Sequence, residues 1–460
     1  MTAISAITAF KAYDLRGRIP TELNPDIAYR VARGYAEFLK PKRICVGRDI
    51  RLSSAALATS VIQGLVDSGV DVVDIGLCGT EGVYFATAAL GVDGGIMVTA
   101  SHNPPDYNGM KFVREGSRPI SGDTGLKDVR RYAEAGAFAT PARPGTVTLT
   151  DTGPRYLEHL LSYVDRAKLK KLKIVCNAGN GGAGLIIDQL ESSLPFEFVK
   201  IYNEPDGTFP HGVPNPMLEQ NHAVVRDAVL REKADLGIAW DGDYDRCFFF
   251  DEKGAFIEGY YIVGLLASVF LKREPGAKIV HDPRLTWNTI DFVKILGGVP
   301  VMCKSGHAFI KAVMREVDAA YGGEMSAHHY FREFAYCDSG MIPWLVLAQV
   351  LCEAGKPFSS LVEERVRLYP SSGEINRRVP DVQAAIAVVQ AKYQPEALDV
   401  DVTDGLSLEF PAWRFNLRGS NTEPLLRLNV ESRHDIALMH AKTEEILDLL
   451  GAMGAVAADH

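Results

Sequence analysis

Short hydrophobic runs alternate along most of this chain with longer stretches in which apolar residues recur every three or four positions. The short runs predict buried β-strands, and the longer stretches predict amphipathic α-helices. Between residues 43 and 100 the predicted order is strand, helix, strand, helix, strand, with the helices at 52–68 and 80–90. This order is typical of parallel strands joined by right-handed crossovers.

The same alternation starts again twice further along the chain. The second unit has predicted helices at 182–192 and 219–233, between the apolar runs LKIVCNA, FEFVKIY and ADLGIAW. The third unit has predicted helices at 260–271, 287–296 and 309–317. Three similar units in one chain indicate an internal repeat.

The pattern changes after residue 372. The predicted elements are then a helix, three strands and a final helix, at 382–393, 406–410, 412–418, 425–431 and 435–450. Consecutive strands with helices on either side favour a separate α+β domain.

The length of the chain and this order predict several domains. At 460 residues the chain exceeds the size of a single core, since one core stops growing at about 250–300 residues. A segment with prolines and a glycine at 140–146 predicts a linker. Polar loops follow the third strand of each unit, where open α/β sheets bind ligands. We therefore predict an α/β fold of three similar mixed α/β domains plus a C-terminal α+β domain around a central cleft, with domains at 1–145, 151–254, 255–368 and 372–460.

Composition argues against several classes of protein. Hydrophobic residues make up 47% and charged residues 23%, as in an ordinary globular protein. The net charge of -9 argues against a nucleic acid or an anionic membrane as partner, because both require a basic surface. The seven cysteines are scattered singly, and no signal peptide or membrane-spanning run is evident. We expect a cytoplasmic protein with reduced thiols.

The first candidate for chemistry is the segment TASHNPPDYNGMKF at residues 99–112. It places the hydroxyl of Ser101 beside His102, with Lys111 a few positions later. A serine at the end of a strand often only caps a helix or stabilises a turn. This motif by itself therefore leaves a nucleophile and a turn residue as alternatives.

The second candidate is the run DGDYDR, in which Asp241, Asp243 and Asp245 alternate with other residues. In an extended loop these carboxylates project to the same side and can bind a hard cation through oxygen. Arg246 stands where a calcium-binding EF-hand loop requires glycine, and strands flank the run, so an EF-hand is excluded. A solvated acidic turn is the plainer alternative, and we favour the metal.

The third candidate is the glycine-rich run GNGGAG at residues 179–184, which fits the pattern G-x-G-x-x-G between a strand and a helix. Glu204 lies 20 residues beyond Gly184, as in a dinucleotide-binding fingerprint. A tight turn that needs glycine for backbone reasons accounts for the same residues. The run keeps a dinucleotide-dependent oxidoreductase open as an alternative.

Two further runs carry polar groups suited to a phosphosugar. In RGSNTEP an arginine, two hydroxyls and an amide join two strands, and Arg427 follows; these groups could clamp a phosphate, although the same residues also form ordinary turns. In GEMSAHH, Glu324 and Ser326 could bind neighbouring sugar hydroxyls, and His328 could move a proton. We assign His329 a structural role.

Taken together, these runs resemble the α-D-phosphohexomutase superfamily, and specifically its bacterial phosphomannomutase/phosphoglucomutase branch. TASHNP corresponds to the family's phosphoserine loop, DGDYDR to its metal loop, GEMSAH to its sugar loop and RGSNTEP to its phosphate loop, in the same order. The resemblance covers nearly the whole chain. It implies four domains around a central cleft, which agrees with the partition above.

The resemblance also implies roles for individual residues. Ser101 would carry the phosphoryl group, and Mg²⁺ would be bound by a phosphoserine oxygen of Ser101 together with Asp241, Asp243 and Asp245. The residues at the reacting phosphate would be Arg16, His102, Lys111, Arg246, His307 and His328. The residues that bind the substrate would be Tyr13, Arg284, Glu324, Ser326, His328, Arg418, Ser420, Asn421, Thr422 and Arg427. Arg284 stands where the family often has lysine.

The implied activity is that of an isomerase, a reversible exchange between hexose 1-phosphate and hexose 6-phosphate. It would proceed through the phosphoserine and a bound hexose 1,6-bisphosphate, within carbohydrate metabolism and nucleotide-sugar biosynthesis. The implied partner is a small phosphosugar, and the protein is expected to be a monomer or a weak homo-oligomer. The nearest alternative is a phosphoglucosamine mutase, which usually has GEQSGH where this chain has GEMSAH. A sugar-phosphate phosphatase, the oxidoreductase and a non-catalytic binder are the others.

Overall fold

A computed structural model describes residues 6–419 and 425–458 of the chain. The chain divides into two compact units. The first unit comprises Met1–Phe256 and His328–Gly355, and the second comprises Ile257–Ala327 and Lys356–His460. No single helix of the described residues is long and apolar enough to cross a membrane, although the pair Ile342–Ala354 and Phe358–Leu368 passes the same test of length and composition when taken together.

The N-terminal part of the first unit is built on a mixed sheet of seven strands. Arg43–Arg48 pairs in parallel with Asp71–Leu77 and Gly94–Val98, as predicted. Tyr107–Arg114 then returns antiparallel to Gly94–Val98, so the segment after the Ser101 turn is itself a strand. The other strands are Leu15–Arg18, Arg118–Pro119 and Val147–Leu149, and the helices are Pro25–Leu39, Ser54–Val66, Thr80–Ala89 and Lys127–Ala135.

Helix Pro25–Leu39 shows how local sequence sets these elements. The side chain of Asn24 accepts a hydrogen bond from the backbone N–H of Ile27 (3.0 Å), and Pro25 occupies the first turn, where no N–H is needed. The helix buries Val31 and Tyr35 completely in the core that it shares with the sheet.

A second sheet follows in the same unit. Leu236–Trp240 pairs in parallel with Lys173–Asn177 and antiparallel with Cys247–Phe250, and Lys173–Asn177 pairs in parallel with Glu197–Ile201. Because Leu236–Trp240 and Cys247–Phe250 are antiparallel neighbours, the acidic run at 241–246 is the loop between them. A short strand Phe256–Ile257 follows, and the helices are Gly153–Leu161, Ala183–Glu191 and His222–Glu232.

Residues 328–355 complete the first unit, although part of the second unit precedes them in the chain. They form a hairpin of His329–Phe331 with Cys337–Asp338 and the helix Ile342–Ala354. The indole of Trp240 donates a hydrogen bond to the carbonyl oxygen of Gly340 (2.9 Å) and meets the fully buried Trp344 edge to face. These contacts attach the segment to the sheet that carries the acidic loop.

The second unit contains a parallel sheet and an antiparallel one. In the first, Lys278–His281 pairs in parallel with Val299–Met302 and Tyr321–Gly323. The helices of this part are Gly259–Arg273, Trp287–Ile295, His307–Val317 and Phe358–Leu368. The C-terminal sheet has the strand order Asp399–Asp401, Leu406–Glu409, Trp413–Gly419, Leu425–Ser432, Ile375–Arg378 and Val456–Ala457.

Two helices pack on this C-terminal sheet, Val382–Tyr393 and Ile436–Ala452. Both begin at an aspartate, Asp381 or Asp435, whose carboxylate accepts backbone N–H bonds of the first turn. The antiparallel sheet and its helices confirm the predicted α+β end of the chain, and the preceding sheets confirm the mixed α/β character of the rest.

Candidate active site

Ser101 lies in the turn that follows strand Gly94–Val98, and its side chain is almost fully buried. Its backbone is left-handed (φ 50°), which is uncommon for a residue other than glycine and requires support from its surroundings. Its N–H donates to Oγ1 of Thr99 (2.9 Å). The Ser101 hydroxyl donates to Oδ2 of Asp241 (3.0 Å) and lies 3.1 Å from Nδ1 of His102. A hydroxyl is thus held at the edge of the acidic loop.

Arg51 holds this turn in place, and sequence reasoning missed it. Its guanidinium is buried and lies over the ring of Phe209 at 5.3 Å. Its two terminal nitrogens donate to four backbone carbonyls of the turn, those of Ser101 (3.0 Å), Asn103 (2.5 Å), Pro104 (2.7 Å) and Tyr107 (2.9 Å). Its place in the chain could have revealed this role. Arg51 follows strand Arg43–Arg48, which pairs in parallel with Gly94–Val98, so both strands end at the same edge of the sheet.

Arg16 reaches the same turn from the edge of the sheet. Strand Leu15–Arg18 pairs with Tyr107–Arg114, which places Arg16 opposite Gly109. Its Nη1 donates to the carbonyl of Ala100 (2.5 Å) and to Oδ1 of Asn103 (2.6 Å), and Asp14 pairs with its Nε. Tyr13, which precedes this strand, is half-buried.

The three aspartates of the acidic loop meet in one place. Asp241, Asp243 and Asp245 are buried, and each offers an oxygen within 4.8 Å of those of the other two. Three buried carboxylates repel one another unless cations neutralise them. Lys111 approaches Asp243 (2.9 Å) and Asp245 (2.5 Å), and Arg246 binds Asp241 (2.8 Å).

One oxygen of this cluster has a property expected of a metal ligand. Within residues 6–419 and 425–458, Oδ1 of Asp243 is buried and has no hydrogen-bond partner. A buried carboxylate oxygen without a partner is costly, and a cation at this point would satisfy it. The donor set consists of oxygens only, which suits Mg²⁺ rather than a softer metal.

The charges of the cluster fix the protonation of its neighbours. Burial would lower the pKa of Lys111, but the carboxylates of Asp243 and Asp245 raise it above its ordinary value. Burial and the cations of Arg246 and Arg16 lower the pKa of His102 well below its ordinary value. Lys111 is therefore a permanent cation, and the His102 imidazole is neutral.

The acidic loop is anchored through Tyr244. The hydroxyl of this buried residue accepts a hydrogen bond from the backbone N–H of Gly79 (2.7 Å). The hydroxyl of Thr80 donates a hydrogen bond to Oδ2 of Asp243 (2.5 Å), and its backbone N–H donates one to the carbonyl oxygen of Asp243 (3.2 Å). The metal-ligand candidates are thus held to the sheet that carries Ser101.

Tyr244 also accounts for the glycine-rich turn at 179–184. A Cβ at Gly182 would lie 2.7 Å from the Tyr244 ring, and a Cβ at Gly184 would lie 2.0 Å from the carbonyl oxygen of Asn203. Packing against protein groups therefore requires glycine at both positions. A tight turn that needs glycine for backbone reasons therefore accounts for these residues, and they do not support a dinucleotide-dependent oxidoreductase.

The two neighbouring histidines differ in their surroundings. Nε2 of His328 lies 4.0 Å from Oδ1 of Asp245, and its side chain is 20% exposed. His329 is fully buried at the start of a strand, and burial lowers its pKa to about 3. His328 therefore borders the acidic cluster, whereas His329 belongs to the core.

In the second unit, Arg284 lies among the groups predicted to bind a sugar. Its Nε and Nη2 bind both oxygens of Asp282 (3.1 and 2.8 Å), and Nη2 also lies 3.2 Å from Oγ of Ser326 and 3.5 Å from Oε1 of Glu324. The same Glu324 oxygen accepts the N–H of Gly306 (2.9 Å), directly before His307. Arg284 is thus fixed by acidic partners.

The second unit also holds a cluster of arginines. Glu374, which sequence reasoning missed, contacts Arg427 (3.0 Å), Arg418 (3.3 Å) and Arg284 (3.5 Å). The other predicted members of the clamp lie outside the described residues: Ser420, Asn421 and Thr422.

The structure thus gathers the predicted residues in two groups. The group in the first unit contains Arg16, Ser101, His102, Lys111, Asp241, Asp243, Asp245, Arg246 and His328. The group in the second unit contains Arg284, Glu324, Ser326, Arg418 and Arg427, with His307 next to the Gly306 contact.

Four domain models of one family match the chain. Their descriptions are phosphoglucomutase/phosphomannomutase alpha/beta/alpha domain I at residues 8–139, domain II at 154–254, domain III at 258–369 and the C-terminal domain at 374–449. The four matches follow the chain in order.

Curated relatives match over almost the whole length. A phosphomannomutase of Salmonella montevideo is 60% identical over 453 residues, which cover 97% of this chain and 99% of the relative. A protein named phosphohexose mutases from Xanthomonas campestris is 58% identical, over 96% of this chain and 99% of its own. The crystal structure of a phosphoglucomutase/phosphomannomutase family protein from Burkholderia thailandensis superimposes with a TM-score of 0.89 at 32% identity, over 99% of each chain.

Proposed function

Because this chain belongs to the phosphoglucomutase/phosphomannomutase family, we propose that it exchanges hexose 1-phosphates and hexose 6-phosphates through a phosphoryl group carried on Ser101. The chain is a phosphohexose mutase, an isomerase. The observation that carries the role of Ser101 is its hydroxyl, 3.0 Å from Asp241. Arg16 binds the same turn, and Lys111 and Arg246 bind the aspartates beside it. Phosphoryl transfer depends chiefly on positioning and on cations around the transferring group.

The first transfer moves the phosphoryl group from Oγ of Ser101 to the free hydroxyl of a hexose phosphate. The P–Oγ bond breaks, a P–O bond to the sugar forms, and the sugar hydroxyl gives up its proton. The product is a bound hexose 1,6-bisphosphate, which returns its other phosphoryl group to Ser101. We assign the sugar proton to His328, whose imidazole borders the acidic cluster with Nε2 4.0 Å from Oδ1 of Asp245.

We propose that Asp241, Asp243 and Asp245 hold Mg²⁺. Two observations support this choice. Oδ1 of Asp243 has no hydrogen-bond partner in the described part of the chain, and the donor set consists of oxygens only. When bound, the ion supplies positive charge that stabilises the transferring phosphoryl group. Lys111 and Arg246 hold the carboxylates in place from either side of the cluster.

We propose that the second unit binds the hexose and its non-reacting phosphate. The Glu324 carboxylate would accept hydrogen bonds from sugar hydroxyls, and the Ser326 hydroxyl would donate one to them. Arg418 and Arg427 would bind the phosphate. Mannose and glucose differ only at C2, so we expect both phosphosugars to be substrates. The name of the Salmonella relative favours mannose phosphate.

We also propose a cytoplasmic enzyme, a monomer or weak homo-oligomer, without nucleic-acid or membrane partners. We propose domain boundaries at 1–145, 151–254, 255–368 and 372–460. GEMSAH, where phosphoglucosamine mutases usually have GEQSGH, favours unmodified hexoses over aminosugars.

Phosphorus NMR tests the function directly. Mannose 1-phosphate and glucose 1-phosphate are incubated with the enzyme, Mg²⁺ and a trace of hexose 1,6-bisphosphate, and Ser101→Ala is run in parallel. Conversion to the 6-phosphate, lost in Ser101→Ala, supports the proposal. Release of inorganic phosphate without isomerisation would identify a phosphatase, and turnover of glucosamine phosphate alone would identify the aminosugar enzyme.

A further inference from the structure

Two arginines face each other across the C-terminal sheet. Strand Trp413–Gly419 pairs antiparallel with Leu425–Ser432, and the register places Arg418 opposite Arg427. Like charges directly opposite in a sheet destabilise it. Their side chains are only 8% and 27% exposed, so water screens this repulsion weakly. The pair therefore requires an anion.

Glu374 supplies that anion from the neighbouring strand. It directly precedes Ile375–Arg378, which pairs with Leu425–Ser432 and brings residue 376 opposite Arg427. Oε1 of Glu374 lies 3.0 Å from Nη1 of Arg427, and Oε2 lies 3.3 Å from Nη2 of Arg418. Oε2 also lies 3.5 Å from Nη1 of Arg284. One carboxylate is thus shared by three guanidiniums.

This carboxylate does not use all the donors around it. Charge-assisted N–H···O bonds are usually about 2.7–2.9 Å long, and all three contacts here are longer. In the described part of the chain, the Nε atoms of Arg418 and Arg427 are buried without a hydrogen-bond partner. A phosphate offers more oxygens and more charge than a carboxylate, so it matches these donors better.

Two of the three arginines also have acidic neighbours of their own, which they do not share. Arg284 is bound to Asp282 and lies near Glu324, and Nη1 of Arg418 lies 3.9 Å from Asp404. Burial opposes ionisation of Glu374, but Arg284, Arg427 and Arg418 lower its pKa, so the carboxylate is charged at neutral pH. Among the residues that the structure describes, Glu374 is the one acidic group in contact with Arg284, Arg418 and Arg427.

We propose that Glu374 is an internal counter-ion of the phosphate clamp, which the non-reacting phosphate of the ligand displaces and which pairs with the arginines again when that phosphate leaves. The inference rests on the proposed function, in which the bisphosphate intermediate turns around and the clamp must release one phosphate and accept the other. A carboxylate that returns to the arginines lowers the cost of release. Glu374 therefore weakens phosphate binding and speeds turnover.

The substitution Glu374→Gln tests this, because glutamine keeps the shape and one acceptor oxygen but loses the charge. We expect inorganic phosphate to bind about three- to tenfold more tightly, since a competing charge close to three arginines is gone. The KM for mannose 1-phosphate should fall with it, and kcat should fall because release slows. A merely structural role would have the opposite effect on affinity and would raise KM.

The experiment measures the Kd of inorganic phosphate by calorimetry, and kcat and KM by the NMR assay, on the full-length protein. Glu444→Gln, an exposed glutamate on the last long helix, is the matched control and should change none of these values. Arg427→Gln provides an independent arm. It should weaken phosphate binding, and adding Glu374→Gln to it should recover part of the loss.

The outcomes separate this inference from the proposed function. Tighter phosphate binding with lower KM and lower kcat supports the counter-ion, and unchanged or weaker phosphate binding in Glu374→Gln overturns it. If neither sugar phosphate is turned over by the wild type while Glu374→Gln still binds phosphate more tightly, the proposed function fails and the counter-ion stands. If Glu374→Gln does not fold, Glu374→Asp decides. Its shorter side chain withdraws the carboxylate from the guanidiniums, so inorganic phosphate should again bind more tightly, and unchanged or weaker binding overturns the proposal.

Discussion

The carbonyl oxygen of Ser101 accepts a hydrogen bond from Nη2 of Arg51 at 3.0 Å, although the two residues are 50 positions apart. The same guanidinium binds three further carbonyls of the turn. It therefore holds the left-handed backbone of Ser101 in place, and these carbonyls use both of its terminal nitrogens. We therefore expect Arg51 to position the proposed nucleophile without touching the substrate.

Replacement of Arg51 by lysine should lower kcat about a hundredfold with little change in KM. One ammonium cannot replace a fork that binds four carbonyls, and a displacement of about 1 Å at a reacting atom costs about that factor. The residues that we propose to bind the hexose lie in the second unit and are unchanged. Steady-state kinetics on Arg51→Lys and on the exposed Arg43→Lys provides the comparison. A rise in KM at constant kcat would contradict a positioning role.

Replacement of Asp243 by asparagine should raise the Mg²⁺ concentration needed for half-maximal activity at least about tenfold. The substitution removes charge at a carboxylate whose Oδ1 has no hydrogen-bond partner within residues 6–419 and 425–458. A metal titration of activity and direct calorimetry with Mg²⁺ measure the effect, with the exposed Asp448→Asn as control. An unaltered Mg²⁺ requirement in Asp243→Asn would place the ion elsewhere.

Replacement of Gly182 by alanine should destabilise the first unit by about 1–3 kcal/mol, because the new Cβ would lie 2.7 Å from the Tyr244 ring. The thermal midpoint of Gly182→Ala should fall, whereas Gly451→Ala, whose Cβ meets no atom within 4 Å, should leave it equal or slightly higher. Nicotinamide dinucleotides should not stabilise the wild type. A clear upward shift of its midpoint by such a cofactor would revive the oxidoreductase.

Buried His329 should make the folded state less stable as the pH falls. Its pKa is about 3 in the folded protein and about 6.5 when exposed, so below pH 6.5 only the unfolded chain takes up the proton. The free energy of unfolding then falls by up to about 1.4 kcal/mol for each pH unit between about 6 and 4. Thermal midpoints between pH 7 and 5 should fall less steeply in His329→Gln than in wild type. The exposed His440→Gln should follow the wild type, and equal slopes in all three proteins would refute the assignment.

The parts of the site that the sequence predicts are those whose members are neighbours in the chain. Asp241, Asp243 and Asp245 lie in one loop between two strands, and Ser101 and His102 adjoin the end of another, so local patterns suffice. Alternating apolar runs likewise predicted helices such as Val382–Tyr393.

The parts that the sequence did not predict depend on distant partners. Arg51 is recognisable only once parallel pairing brings its strand next to the Ser101 turn, and Glu374 only once three strands align it with Arg418 and Arg427. The sequence left two interpretations of the glycine-rich turn open for the same reason. The ring that packs against Gly182 belongs to Tyr244, which is distant in the chain, and the local pattern of apolar residues cannot reveal such a contact.

The most direct test of the account is to locate the phosphoryl group on the protein. Wild type, Ser101→Ala and Arg51→Lys are each incubated with hexose 1,6-bisphosphate labelled with radioactive phosphorus, digested, and sequenced by mass spectrometry. We predict label on the peptide that contains Ser101 in the wild type, less label in Arg51→Lys, and none in Ser101→Ala, which should also fail to interconvert the sugar phosphates. Label on another residue, or interconversion that persists in Ser101→Ala, would contradict the central claim.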